Sequence, residues 1–125
     1  GGVLAFIELS GDESLVTLGS HERDFLYEGK RYHDIIVPST GYPMFETKAV
    51  TVLHTNAVTA DAAAHALFIA GPKNWLQVAK TMEIDHALLL DKDNRLHIMP
   101  AINRRIEFLD TTIDIQVISI EPASK

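Results

Sequence analysis

The chain has no cysteine among its 125 residues. Disulfide bonds and thiolate chemistry are therefore excluded, while the redox compartment stays open. No apolar run is long enough to span a membrane as a helix. Basic residues are outnumbered by acidic ones, 11 to 17, and the formal net charge of -6 lacks the cationic footprint of a general nucleic-acid or anionic-membrane binder. No signal peptide stands in these residues. The chain opens Gly1-Gly2-Val3 without an initiating Met, the start expected of a fragment, a processed product or a tag remnant. What is present is globular: 46 % hydrophobic and 22 % charged residues, enough for one compact domain over 1–125 with a real core.

The most unusual stretch is Thr59-Ala-Asp-Ala-Ala-Ala-His-Ala-Leu-Phe-Ile-Ala-Gly71. Nearly every position is small or apolar, which reads as a buried helix with Thr59 as its N-cap. Gly71 should end it and Pro72 open a second helix, in which Trp75, Leu76, Val78, Ala79 and Met82 follow helical spacing. Before these helices, Val3–Leu9 and Leu15–Leu18 read as a hairpin around the turn residues 10–14. Gly19 to Asp24 reads as loop. Phe25–Tyr27 and Lys30–Val37 flank Glu28-Gly29 as a second hairpin, and Lys48–His54 is a β-branched strand. After the helices, His86–Leu90 and Arg95–Met99 flank the turn Asp91–Asn94. Ile102–Leu109 and Ile113–Ile120 read as two further strands. This order predicts an α+β fold, a mostly antiparallel sheet with two helices packed on one face.

Few residues in this frame carry chemistry. Asp61 and His65 stand four apart, on one helix face, and a carboxylate with an imidazole suits a divalent metal. The plain alternative is that Asp61 answers the helix dipole and His65 is a hydrogen-bonded core histidine, which residue statistics favour. Pro38-Ser-Thr-Gly-Tyr-Pro43 is a held loop offering N–H groups and hydroxyls to a phosphate, or a simple structural turn. Thr17 and Gly19 at a strand end permit close approach of a ligand. His33 and Asp34 are adjacent on a strand and so face opposite sides. His21, His54, His86 and His97 are scattered singly. No phosphate-binding P-loop or dinucleotide fingerprint is present.

These pieces fall in a known order. Thr17-Leu-Gly19, Glu22-Arg23, Gly29-Lys-Arg-Tyr32, Ile35-Ile-Val-Pro-Ser-Thr-Gly-Tyr-Pro43, Val50-Thr-Val52 and Ala60-Asp-Ala-Ala-Ala-His-Ala-Leu-Phe-Ile-Ala-Gly71 follow the family patterns T-S-G, Y-E-R, G-K-x-Y, H-I-I-D-P-x-T-G-x-P, V-T-V and A-D-A-x-x-T-A-L-F-x-x-G. From about Val3 to Ile106 the chain resembles the C-terminal half of the ApbE family. Its members are flavin transferases that cleave FAD and attach FMN by a phosphoester bond to a Thr or Ser of a target protein, using Mg2+.

The resemblance implies FAD as substrate, an acceptor protein, and Mg2+ or another divalent metal. It implies a periplasmic or cell-envelope setting. It places flavin contacts at Thr17, Gly19, Pro38, Thr40 and Gly41, a metal at Asp61 and His65, and the base at His33 or Asp34. This sequence departs from the family at several of those places. Leu18 fills the Ser slot of T-S-G, Asp34 the slot of the catalytic His, Val37 the Asp slot, and His65 the slot of a metal-binding Thr. His33 sits one residue early, and only a β-bulge would turn it to the face of its slot. Nothing corresponds to the family's N-terminal half, which supplies much of the FAD pocket. The chain alone is expected to be weakly active or inactive. The alternative is a non-catalytic module that binds flavin or metal, or that pairs as a homodimer or with a partner chain through an exposed strand edge.

Overall fold

The structure is a computed structural model and describes residues 3–19, 21–36, 45–109 and 114–118. Its elements run β1 (Val3–Leu9), β2 (Ser14–Leu18), β3 (His21–Tyr27), β4 (Lys30–Ile36), β5 (Thr47–His54), α1 (Ala57–Thr81), β6 (Ala87–Asp91), β7 (Arg95–Ile98), α2 (Pro100–Asn103), β8 (Ile106–Phe108) and β9 (Asp114–Val117). The class is α+β, as the element order predicts. The strands divide into two sheets, β3-β4-β1-β8 and β2-β5-β6-β7-β9. All pairings are antiparallel except β7 with β9, which is parallel.

Two hairpins form where local turn chemistry calls for them. The two-residue Glu28-Gly29 turn joins β3 to β4, with Tyr27 opposite Lys30. Asp91–Asn94 joins β6 to β7, closed by the Asn94 N–H donating to the Asp91 carbonyl at 3.0 Å. The expected β1–β2 hairpin does not form. β1 lies between β4 and β8, and β2 pairs with β5. The polar run His21–Asp24 is strand rather than loop, because β4 supplies a continuous ladder for it. Ile102 belongs to the short helix α2 rather than to a strand, and β8 is confined to Ile106–Phe108.

α1 is capped by Asn56, not Thr59. The Asn56 carboxamide oxygen accepts from the Thr59 N–H at 3.0 Å. Gly71 interrupts the helix with φ 82° and ψ 174°, a conformation open to glycine, and Pro72 opens the second arm, as the sequence predicts. The helix packs on β5, β2 and β6. Its buried face is narrow and built of small groups, Ala60, Ala63, Ala64 and Leu67 in the first arm and Trp75 and Ala79 in the second. Asp61 and His65 lie on the opposite, solvent side, so the first arm is half exposed rather than buried. Alanine carries little side chain to hide, and that is why an apolar composition misleads here. The core continues through Ile7, Val50, Leu89, Leu96, Ile98 and Ile102.

One clasp ties the two ends of the described chain. Arg105 donates from both terminal nitrogens to the Glu13 carboxylate, each at 2.7 Å, and also to the Glu8 carbonyl at 3.1 Å. This fork, aided by the Ser10 N–H and opposed by burial, holds the Glu13 carboxyl at about 2, well below its ordinary 4.5. A carboxyl depressed on folding contributes stability above its unfolded value and loses it as pH falls through its folded value. Glu13→Gln is therefore expected to lose about 2 kcal/mol at neutral pH. The gap to wild type should shrink steadily from pH 5 toward pH 2, read by urea unfolding; a gap independent of pH would refute the assignment.

Candidate functional site

β4 positions the two residues expected to supply a base. Its register with β3 is continuous, pairing Asp24 with His33 and Arg23 with Asp34. The one irregularity nearby lies in β1, between Val3 and Ala5, and leaves β4 regular. No bulge turns His33, which therefore shares a sheet face with its cross-strand neighbour Ile7, the core face. Asp34 lies on the other face, beside the row in which Tyr32 stacks on Phe25 at 5.4 Å and meets Phe6 edge-on at 5.9 Å. Both His33 and Asp34 are buried.

His33 Nδ1 stands 2.7 Å from Asp24 Oδ1. Burial pushes the His33 imidazole below its ordinary value, Asp24 raises it, and Arg31 lowers it further. The ring is thus neutral near pH 7. A cavity of about 280 Å³ lies over this pair, lined by Asp24, Phe25, Leu26, Arg31, Tyr32 and His33. Asp24 is the neighbour that the sequence reading did not assign. It was recoverable, because a two-residue turn that pairs Tyr27 with Lys30 also pairs Asp24 with His33 when counted back.

Of the remaining expected residues, Gly19, Asp61 and His65 lie at the first arm of α1. Thr17 faces Thr51 across β2 and β5, and their hydroxyl oxygens lie 3.2 Å apart. Gly19, just past β2, presses against the Lys48 backbone and the Phe68 ring. Phe68 also meets Phe45 edge-on, with ring centroids 5.5 Å apart. Phe45 is the second residue after the Pro38–Pro43 loop, and Pro38, Thr40 and Gly41 themselves lie outside the described residues. Asp61 and His65 precede Phe68 by seven and three positions, so all three share one helix stripe. The end of β2, the exit of the loop and the Asp61–His65 stripe thus meet at the first arm of one helix.

Asp61 and His65 side chains are 63 % and 59 % exposed. His65 Nδ1 donates to the Asp61 main-chain carbonyl at 2.9 Å and lies 3.8 Å from the Asp61 carboxylate. Among the described residues no three His, Asp or Glu side chains gather in a metal-binding arrangement. The pair supplies one oxygen and one nitrogen donor. That set does not suit Mg2+, which demands oxygen ligands in octahedral array. It suits borderline divalent ions such as Zn2+.

The chain belongs to the ApbE family, whose profile matches residues 2–89. It is 35 % identical over 109 residues to the FAD:protein FMN transferase of Rhodobacter capsulatus, an alignment that takes in 87 % of this chain and 21 % of that protein. The enzymes of the same name from Treponema pallidum and Klebsiella pneumoniae are 34 % and 31 % identical over 100 residues, 79 % of this chain and 28 % and 32 % of theirs. The chain thus spans between about a fifth and a third of the length of these relatives. Among the described residues no helix is long and apolar enough to cross a membrane.

Proposed function

We propose that the chain is a flavin-transferase domain that takes part in moving FMN from FAD to a Thr or Ser hydroxyl of an acceptor protein. The observation that carries this reading is the convergence at Phe68 of the strand-end Gly19, the loop-exit Phe45 and the Asp61–His65 stripe. In the reaction the acceptor oxygen bonds to the FMN-side phosphorus of FAD. The bond from that phosphorus to the AMP oxygen breaks, AMP leaves, and the hydroxyl proton passes to a base. Asp34 stands in the strand position of the family's base. His33, neutral but turned to the core face, is the second candidate. Thr17 and Gly19, with Pro38, Thr40 and Gly41, would border the flavin phosphates, and Asp61 with His65 would hold a divalent ion that neutralises phosphate charge when bound.

Because the chain spans so little of its relatives' length, it is expected to bind FAD weakly and to transfer little or no FMN alone. Calorimetric titration with FAD, with and without a divalent cation, reads the first. In-gel flavin fluorescence of a Thr-bearing acceptor reads the second. Strong transfer by the isolated chain would overturn the expectation of weak activity.

A second reading, a pairing module, has its own observation. Among the described strands β3 ends the first sheet, and its consecutive Phe25, Leu26 and Tyr27 are 37 %, 72 % and 61 % exposed. Such an edge is a template for another strand. Absence of FAD binding together with a dimer in light scattering would favour that reading over the transferase.

A further inference from the structure

We propose that His54 is a pH-sensitive latch on the start of α1, closed while its imidazole is neutral and released when the ring takes up a proton. The proposal stands apart from the transferase reading and begins from one hydrogen bond. The Asn56 N–H donates to His54 Nδ1 at 2.9 Å. A backbone N–H can only donate, so Nδ1 holds a lone pair and the neutral ring carries its proton on Nε2. Asn56 is also the N-cap of α1. Its carboxamide oxygen accepts from the Thr59 N–H and its carbonyl accepts from the Ala60 N–H, both at 3.0 Å. In a reciprocal cap, a Glu or Gln three residues beyond the cap reaches back to the cap N–H. Here that position is Thr59, and His54 fills the role from two residues before the cap. The first turn of the helix contains no acidic residue. The start of α1 therefore rests on Asn56, and Asn56 on His54.

Protonation reverses the contact. An imidazolium carries N–H at both ring nitrogens, so Nδ1 would turn a donor toward a donor, beside the positive end of the helix dipole. His54 ends β5, its backbone paired with Ser14 of β2 and its ring half-buried, whereas Asn56 is exposed, so the movement falls on the cap. The cavity of about 180 Å³ beside the ring is lined by three other titratable groups, Glu13, Asp85 and His86. Glu13 is engaged by Arg105, and Asp85 Oδ1 accepts from His86 Nδ1 at 3.0 Å. Among the described residues neither carboxylate hydrogen-bonds His54, so neither holds the ring in place once it is charged. The arm that acid would loosen at its start is the one that carries Asp61, His65 and Phe68.

The test is nuclear magnetic resonance of the 15N-labelled full chain at pH 7.5 and pH 5.5, with amide exchange corrected for the intrinsic rate at each pH. At pH 7.5 the His54 ring nitrogens should show the Nε2–H tautomer. Protection of the Thr59 and Ala60 amides should fall by roughly 5- to 10-fold at pH 5.5. His54→Asn, whose carboxamide oxygen can accept as Nδ1 does but does not titrate, should hold its protection at both pH values. His86→Gln should respond as the wild type does. An Nδ1–H tautomer at pH 7.5, or wild-type protection equal at the two pH values, would overturn the latch. So would a fall of the same size in His54→Asn, or its disappearance in His86→Gln. The tautomer is read in the wild type, so the proposal stays open to refutation even where a variant folds poorly.

Discussion

Gly19→Ala is expected to destabilise the protein by about 3 kcal/mol or more, a size reserved for a few mechanisms. Two of them act together here. Gly19 has φ 81°, in the left-handed region, where an added side chain costs about 1–2 kcal/mol on its own. The new Cβ would also fall well inside contact distance of the Lys48 carbonyl oxygen and 3.0 Å from Phe68 Cε2. The Lys48 carbonyl is main chain near the start of β5, at the irregularity between Thr47 and Ala49, so relieving the clash means moving the strand itself. Phe68 can move only by disturbing its edge-on contact with Phe45. Equilibrium urea unfolding at neutral pH checks the magnitude. A loss below about 1 kcal/mol would mean that β2 and β5 shift freely at this point and that the glycine is there for a ligand, not for the fold.

The second large effect is expected at Asp91, outside the candidate site. Its Oδ1 accepts from the backbone N–H groups of Asp93 and Arg95, both at 2.9 Å, and its Oδ2 accepts from His97 Nε2 at 2.9 Å. The carboxylate thus serves as the inner lining of the β6–β7 turn. Asp91→Ala would strand two N–H groups and a part-buried imidazole, an expected loss of about 3 kcal/mol. Asp91→Asn keeps one acceptor oxygen for the turn and should recover part of that loss. Burial acts to raise the Asp91 carboxyl, but the His97 hydrogen bond and the two backbone N–H groups outweigh it, so the group sits below its ordinary value. Its contribution is therefore whole above the ordinary carboxylate range and is lost as pH falls below it. Thermal unfolding followed from pH 7 down to pH 3 should show the wild type converging on the Asn variant; parallel curves would remove Asp91 from the account.

What could be read from the sequence was what local chemistry decides. Glu28-Gly29 and Asp91–Asn94 each specify a turn within a few residues, and both hairpins are present. The break at Gly71-Pro72 is equally local. The partners of β1 and β2 are not. Residues 10–14 form a turn, with the Glu13 N–H donating to the Ser10 carbonyl at 3.2 Å, yet the flanking strands go to different sheets. That outcome rests on burial far along the chain, which no window of ten residues contains. The cap falls on Asn56 rather than Thr59 for a smaller reason: both are good caps, and only the start of the helix decides between them. At the site, the order of the motifs was legible and their meeting place was not. The outward turn of Asp61 and His65 follows from the tight seat of Ala60, Ala63 and Ala64 on the sheet, a packing fact invisible in composition.

The placement of β1 sets a timetable for synthesis. β1 pairs on one side with β4, through contacts such as Ile7 with His33, and on the other with β8, where Ala5, Phe6 and Ile7 meet Phe108, Glu107 and Ile106. The first side can close as soon as the β3–β4 hairpin leaves the ribosome. The second must wait for β8, about 70 residues beyond β4, roughly 4 to 14 seconds at ordinary elongation rates. Throughout that interval the strand Val3–Leu9 shows one unsatisfied backbone edge, in a segment that is almost wholly apolar. A holding chaperone that covers one extended apolar strand would have a client in this edge until β8 arrives.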